Sequence, residues 1–163
     1  MAVTPTGSYG KALSNVRDLI ANTTAFQTWT GTANAGAAAA RVHLCAASPT
    51  ATRPFAVVRW GGLLSMRKVA YGFYQDGGVV NVHFEAAHGE DAQDNPLGMS
   101  DAEITFCNDV QGIVDGMVVL AANGTYMMPD EISLTDVGHS DTSQGESDAY
   151  WLAFVDVTWG GGQ

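Results

Sequence analysis

The densest group of ligand-type side chains is His88, Glu90, Asp91 and Asp94, all within a seven-residue stretch. Carboxylates suit a hard cation, but the ligand order and turn glycine of a calcium-binding EF-hand are missing. Zinc would want several His or Cys at defined spacing, and no such pair occurs. The spacing favours a solvated acidic loop. His139 stands beside Ser140, Asp141 and Ser143, so a nucleophile–base–acid group can be drawn there. That group needs the strained turn that presents a serine, and G-x-S-x-G does not occur. A small serine hydrolase using His139 with Ser140 or Ser143 is the alternative reading from another class. His43 and His83 fall in strand-like runs, where an outward or satisfied histidine is commoner than a general base. The glycine pairs Gly61-Gly62 and Gly77-Gly78 lack the lysine and hydroxyl of a phosphate-binding loop. No catalytic residue, metal or cofactor is expected.

With 17 acidic and 7 basic side chains, the formal net charge is −10. Read as a diffuse negative field, this repels phosphate backbones and argues against nucleic-acid binding as a main function. The basic residues (Lys11, Arg17, Arg41, Arg53, Arg59, Arg67, Lys68) read as scattered, which also argues against an anionic membrane surface. No targeting signal and no apolar stretch long enough to span a bilayer are expected. Cys45 in a strand-like run and Cys107 on a helical run read as buried free thiols.

The elements that would position these groups follow from periodicity. Residues 1–7 read as a loose arm and 160–163 as a soft tail. Tyr9, Ala12, Leu13, Val16, Leu19 and Ile20 recur at three- and four-residue steps and predict a helix over 8–22. Phe26 and Trp29 look like anchors that fold the exit segment back, and Thr32 is placed to cap a short alanine helix over 33–40. Strands are expected at 41–46, 54–60, 67–74 and 79–85, with Gln75-Asp76-Gly77-Gly78 as the turn joining the last two. Val80, Val82 and Phe84 share one face; Asn81, His83 and Glu85 share the other. A further strand is expected at 131–137, and Tyr150–Trp159 alternates most cleanly of all. Exposed loops are expected at 61–66, 86–98 and 138–148.

The longest element is a helix over 100–122. Ser100-Asp101-Ala102-Glu103 has the form of a capping box. Phe106, Val110, Ile113, Val114, Met117 and Ala121 make one apolar stripe, and Asn123-Gly124 ends it. Gly112 and Gly116 each cost about 1 kcal/mol in helix propensity. Close approach of another backbone, from a strand of the same fold or a neighbouring subunit, would compensate. Ile104 and Val119 project from the otherwise polar side. The pattern predicts an α+β fold in one domain, 1–163: a mostly antiparallel sheet with two main helices, about 8–22 and 100–122, packed on one face.

The order of these pieces resembles the tail terminator and tail-completion (neck) proteins of long-tailed bacteriophages. The pattern is an N-terminal helix, a strand starting like Arg53-Pro54-Phe55-Ala56-Val57-Val58, an alternating hairpin, a helix with a capping serine, and a final strand like Tyr150–Trp159. The resemblance runs over most of 8–159. It implies a structural virion protein and no enzyme: a homo-oligomeric ring, commonly a hexamer, made in the host cytoplasm and located in the tail or neck. Such a ring caps the tail tube protein, meets a head-completion or connector protein, and lets DNA pass without specific binding. Another head–tail connector or a tail-tube subunit is the nearest alternative. An acidic channel would suit DNA passage, and a pore lined mainly by Arg41, Arg53, Arg59 and Lys68 would remove that idea. Candidate contacts to copies or partners are Ile104, Gly112, Gly116, Val119, Glu90, Asp91, Asp94, His139 and Asp141.

Overall fold

The computed structural model describes residues 8–62, 65–70, 73–87, 96–126, 128–140 and 150–159. Among the described residues are helices α1 (Ser8–Ala21), α2 (Thr24–Trp29), α3 (Ala35–Ala39) and α4 (Pro96–Ala122). The strands are β1 (Val42–Leu44), β2 (Phe55–Trp60), β3 (Ser65–Ala70), β4 (Phe73–Ala87), β5 (Glu131–Ser140) and β6 (Tyr150–Trp159). They form an α+β fold with one mixed, mostly antiparallel sheet in the order β1-β2-β4-β6-β5. Only β1 and β2 run parallel.

Alternation decides which face is covered. Ala56, Val58, Val80, Val82, Phe84, Trp151, Ala153, Val155 and Val157 point to one side and are buried there with the apolar stripes of α1 and α4. On α1 the stripe is Ala12, Leu13, Val16, Leu19 and Ile20; on α4 it is the six-residue set expected from the sequence. Helix α1 lies over β1 and β2, and α4 over β5 and β6. Phe84 sits in the middle, 6.3 Å from Phe26 and edge-on to Trp29 at 5.9 Å.

One residue joins three helices. Thr23 ends the turn after α1, donating its hydroxyl to the Ile20 carbonyl at 3.0 Å and accepting from the Phe26 N–H at 3.2 Å. It thereby caps α2, whose Phe26 is fully buried. Its methyl also lies under Gly116 of α4: a Cβ added there would fall 3.1 Å from Thr23 Cβ. At Gly112 the nearest atom would be Ala25 Cβ, at 3.8 Å. The close approach that the two glycines permit is made within the chain by Thr23 and Ala25, at the start of α2, and not by a strand.

Several local expectations are corrected. Helix α4 begins at Pro96, where the ring's fixed φ suits a first turn, so Ser100 lies inside the helix and no capping box opens it. Asn34, not Thr32, caps α3 by accepting from Ala37 N–H at 2.9 Å; the Thr32 hydroxyl pairs with that of Thr30. Strand β4 runs unbroken through Gln75–Gly78, so no turn falls there, and Ala70 of β3 pairs with Phe73 of β4. Glycine is needed at 78 for packing, since a Cβ there would lie 2.6 Å from the Trp60 ring. Strands β2 and β3 pair one after the other with β4, so β3 and residues 73–77 of β4 form a two-stranded extension of the main sheet. Cys45 is exposed at the end of β1, with φ 69°, and Cys107 is half-buried; both thiols are free.

Residues 101–122 of α4 are long and apolar enough to cross a membrane by length and composition, contrary to expectation. Here its apolar stripe is a core seam, seated on the sheet and α2.

Candidate functional site

Only some of the residues singled out for chemistry fall among the described residues. Glu90, Asp91, Asp94, His88, Asp141 and Ser143 lie outside the described residues. His139 and Ser140 belong to β5, in register with Trp151 and Tyr150, and not to a loop. Among the described residues, no three His, Cys, Asp or Glu are grouped as a metal site would need.

The sheet face away from the helices carries a polar cluster built by β2, β4 and β6. Glu85 accepts from Arg53 Nε at 3.1 Å with one oxygen, and its other oxygen is 3.2 Å from His83 Nε2. The Arg53 guanidinium lies 4.2 Å above the Tyr150 ring, a cation–π contact. Burial pushes the Glu85 carboxyl upward, but the His83 hydrogen bond and the Arg53 charge outweigh it, leaving its pKa below the ordinary value. Asn81 donates to Asp156 on the next row. His43 packs edge-on against Phe55 at 5.3 Å and His83 against Phe154 at 6.0 Å. These groups hold one another in place: the carboxylate is engaged at both oxygens and no nucleophile faces it. The cluster is a structural clasp joining three strands.

The other distinctive surface is the lateral side formed by α4 and β5. Ile104, Val118, Met128 and Leu134 are exposed there, the first by 58% and Met128 by 69%, and Val119 is exposed on the outer face of α4. Helical steps of about 100° put Ile104, Gln111, Asp115 and Val118 on one flank of α4, about a third of a turn from Gly112 and Gly116. A shallow groove of about 170 Å³ runs below that flank, lined by Val118, Met128, Pro129, Glu131 and Ile132. An open depression of about 260 Å³ lies near the other end of α4, between Trp29, Phe106, Asp109 and Trp151. Burial raises the Asp109 carboxyl there. Burial, then the Glu103 charge, raises the Cys107 thiol. Neither hollow reaches the roughly 300 Å³ of ordinary ligand pockets.

Charge distinguishes this side from the opposite one, and the sequence reading missed it. All seven Lys and Arg precede Val69, together with a single acid, Asp18. From Val69 onward there are 16 acids and no Lys or Arg. The fold turns that division in sequence into one in space. Strands β1 and β2 with α1 form one lateral half, and β4, β6 and β5 with α4 form the other. Asp115 is exposed on α4, and Glu131 and Asp136 are exposed on the edge strand β5. Arg59 is exposed on β2 beyond the end of β1, where β2 is itself the sheet edge, and Arg41 precedes β1. The signal was available by counting charge along the chain instead of in total.

No protein-family model matches the chain, and no curated protein matches it.

Proposed function

We propose that this protein is a structural subunit of a long-tailed phage virion, a tail terminator or tail-completion protein. It closes into a ring on the end of the tail tube and offers a surface to the head or neck. One observation carries the reading: five of the six exposed large apolar side chains of the described residues lie on α4 or on β5 and the segment leading into it. A helix-covered sheet with an apolar side of this kind suits a protein that works through contact with copies and neighbours. The same helix, sheet and hairpin order that the resemblance rests on supports it. Its chemistry is shape: surfaces meet, and no bond is made or broken.

The test is negative-stain microscopy with light scattering of the purified chain. Rings with a central hole are expected, with a mass several times that of the 17.1 kDa chain. A strict monomer that hydrolyses a simple ester, with the activity lost in His139→Ala, overturns the reading.

A further inference from the structure

We infer that the contact between ring neighbours is head-to-tail and electrostatic: the basic β1–β2 edge of one copy docks on the acidic, apolar α4–β5 side of the next. This rests on the ring reading above and specifies which surfaces close it.

Three observations point to a second copy as the occupant. First, the two sides are complementary in charge, with Arg41 and Arg59 on one and Asp115, Glu131 and Asp136 on the other. Among the described residues, neither Arg41 nor Arg59 has a carboxylate partner; the Arg41 guanidinium donates to the Thr52 carbonyl, at 2.6 Å. Secondly, the sixth exposed large apolar side chain is Leu44, on β1, so each side has an apolar part beside its charges. That is the anatomy of an association surface: apolar centre, polar rim. Thirdly, the two sides lie at opposite ends of the strand order. A two-fold contact would bring each side against itself, setting acid on acid; a cyclic head-to-tail contact sets acid on base at every junction. Neighbours in a cyclic ring are related by rotation about one axis, so contacting parts share a height along it. Arg59 and Glu131 fit that requirement, because Arg59 pairs with Asn81, Asn81 with Asp156, and Glu131 with the nearby Thr158. Both stand at the same end of the sheet.

Two charge-reversed chains test this. One carries Arg41→Glu with Arg59→Glu, making both sides acidic; the other carries Glu131→Lys with Asp136→Lys, making both basic. Because Arg41 also holds Thr52, Arg59→Glu alone serves as a second acidic variant, and thermal melts check that each chain folds. Light scattering at low salt should find wild type assembled and each reversed chain at monomer mass. An equimolar mixture of the two should regain the wild-type mass, as a ring of alternating subunits. Raising salt to about 1 M, where the screening length is about 3 Å, should shift wild type toward monomer. Wild-type assembly that survives both reversals overturns the inference and leaves the ring reading standing. Wild-type rings absent altogether overturn both. Reversed chains that self-assemble in the mixture no better than apart, or an Arg59→Glu chain that loses only binding to nucleic acid, overturn the head-to-tail contact.

Discussion

The two faces of the sheet are built from alternate residues of the same strands, yet they are stabilised differently. On β4, Val80, Val82 and Phe84 are fully buried under the helices, while Asn81, His83 and Glu85 between them face away. On β6 the same division separates Trp151, Ala153 and Val155 from Leu152, Phe154 and Asp156. The covered face is held by apolar area removed from water. The open face is held largely by pairs, Arg53 with Glu85 and Asn81 with Asp156, with aromatic rings between them; on β2 alone it also buries apolar side chains, Phe55 and Val57. The covered face thus tolerates no loss of volume, and the open face tolerates no loss of partner.

The sharpest way to break this comparison is to remove one ring from each face. Phe84 has no exposed surface and touches the Phe26 and Trp29 rings. Phe84→Ala should cost about 3–5 kcal/mol in chemical denaturation, the range for emptying a packed aromatic site. Phe154, one step along the neighbouring strand, is half-buried beside His83. Phe154→Ala should cost less than half as much, about 1–2 kcal/mol for partial burial. Equal costs would mean that the open face is covered in solution as thoroughly as the other.

The next effect belongs to the clasp. Glu85→Gln should destabilise by about 1–3 kcal/mol at neutral pH, because Arg53 and His83 lose a charged acceptor in a partly buried setting. The effect has a pH window with a definite sign. The folded-state pKa of Glu85 lies below its ordinary value of 4.5, so the carboxylate favours the folded chain. That contribution is complete above 4.5 and is lost as pH falls through the lower, folded-state value. Denaturation of both chains between neutral pH and about pH 3 should show the gap closing at the acid end. A gap of constant size would mean that the carboxylate charge is not what holds the three strands.

How much of this was legible in the sequence differs by kind of signal. Strand β6 and helix α1 were readable almost to the residue, because strict alternation and an uninterrupted stripe need no tertiary information. The hairpin turn was misplaced because Gly77-Gly78 has turn composition; its glycine answers instead to Trp60, a neighbour across the sheet that local pattern cannot show. Gly116 was misread for the same reason, since Thr23 approaches it from far away in sequence. The clasp was unreadable: Arg53 and Glu85 are 32 residues apart and meet only through the β2–β4 register. The charge division was fully present in the sequence and was lost by summing it.

The smallest effect concerns how tightly α4 is seated, and it should have opposite signs at two glycines one helical turn apart. Alanine gains about 1 kcal/mol over glycine inside a helix. At Gly112 the added methyl would meet Ala25 Cβ at 3.8 Å, an ordinary contact, so Gly112→Ala should stabilise by about 0.5–1 kcal/mol. At Gly116 it would lie 3.1 and 3.2 Å from two carbons of Thr23. That side chain has little freedom to move, because its hydroxyl is bonded to both Ile20 and Phe26 across the junction of α1 and α2. Overpacking of this kind costs about 1–3 kcal/mol, so the propensity gain should be cancelled or reversed in Gly116→Ala. Paired thermal melts of the two variants read the difference directly. If both stabilise equally, Thr23 yields without loss, α2 does not fix the height of α4, and the exposed flank carrying Ile104 and Val118 is free to shift toward whatever it meets.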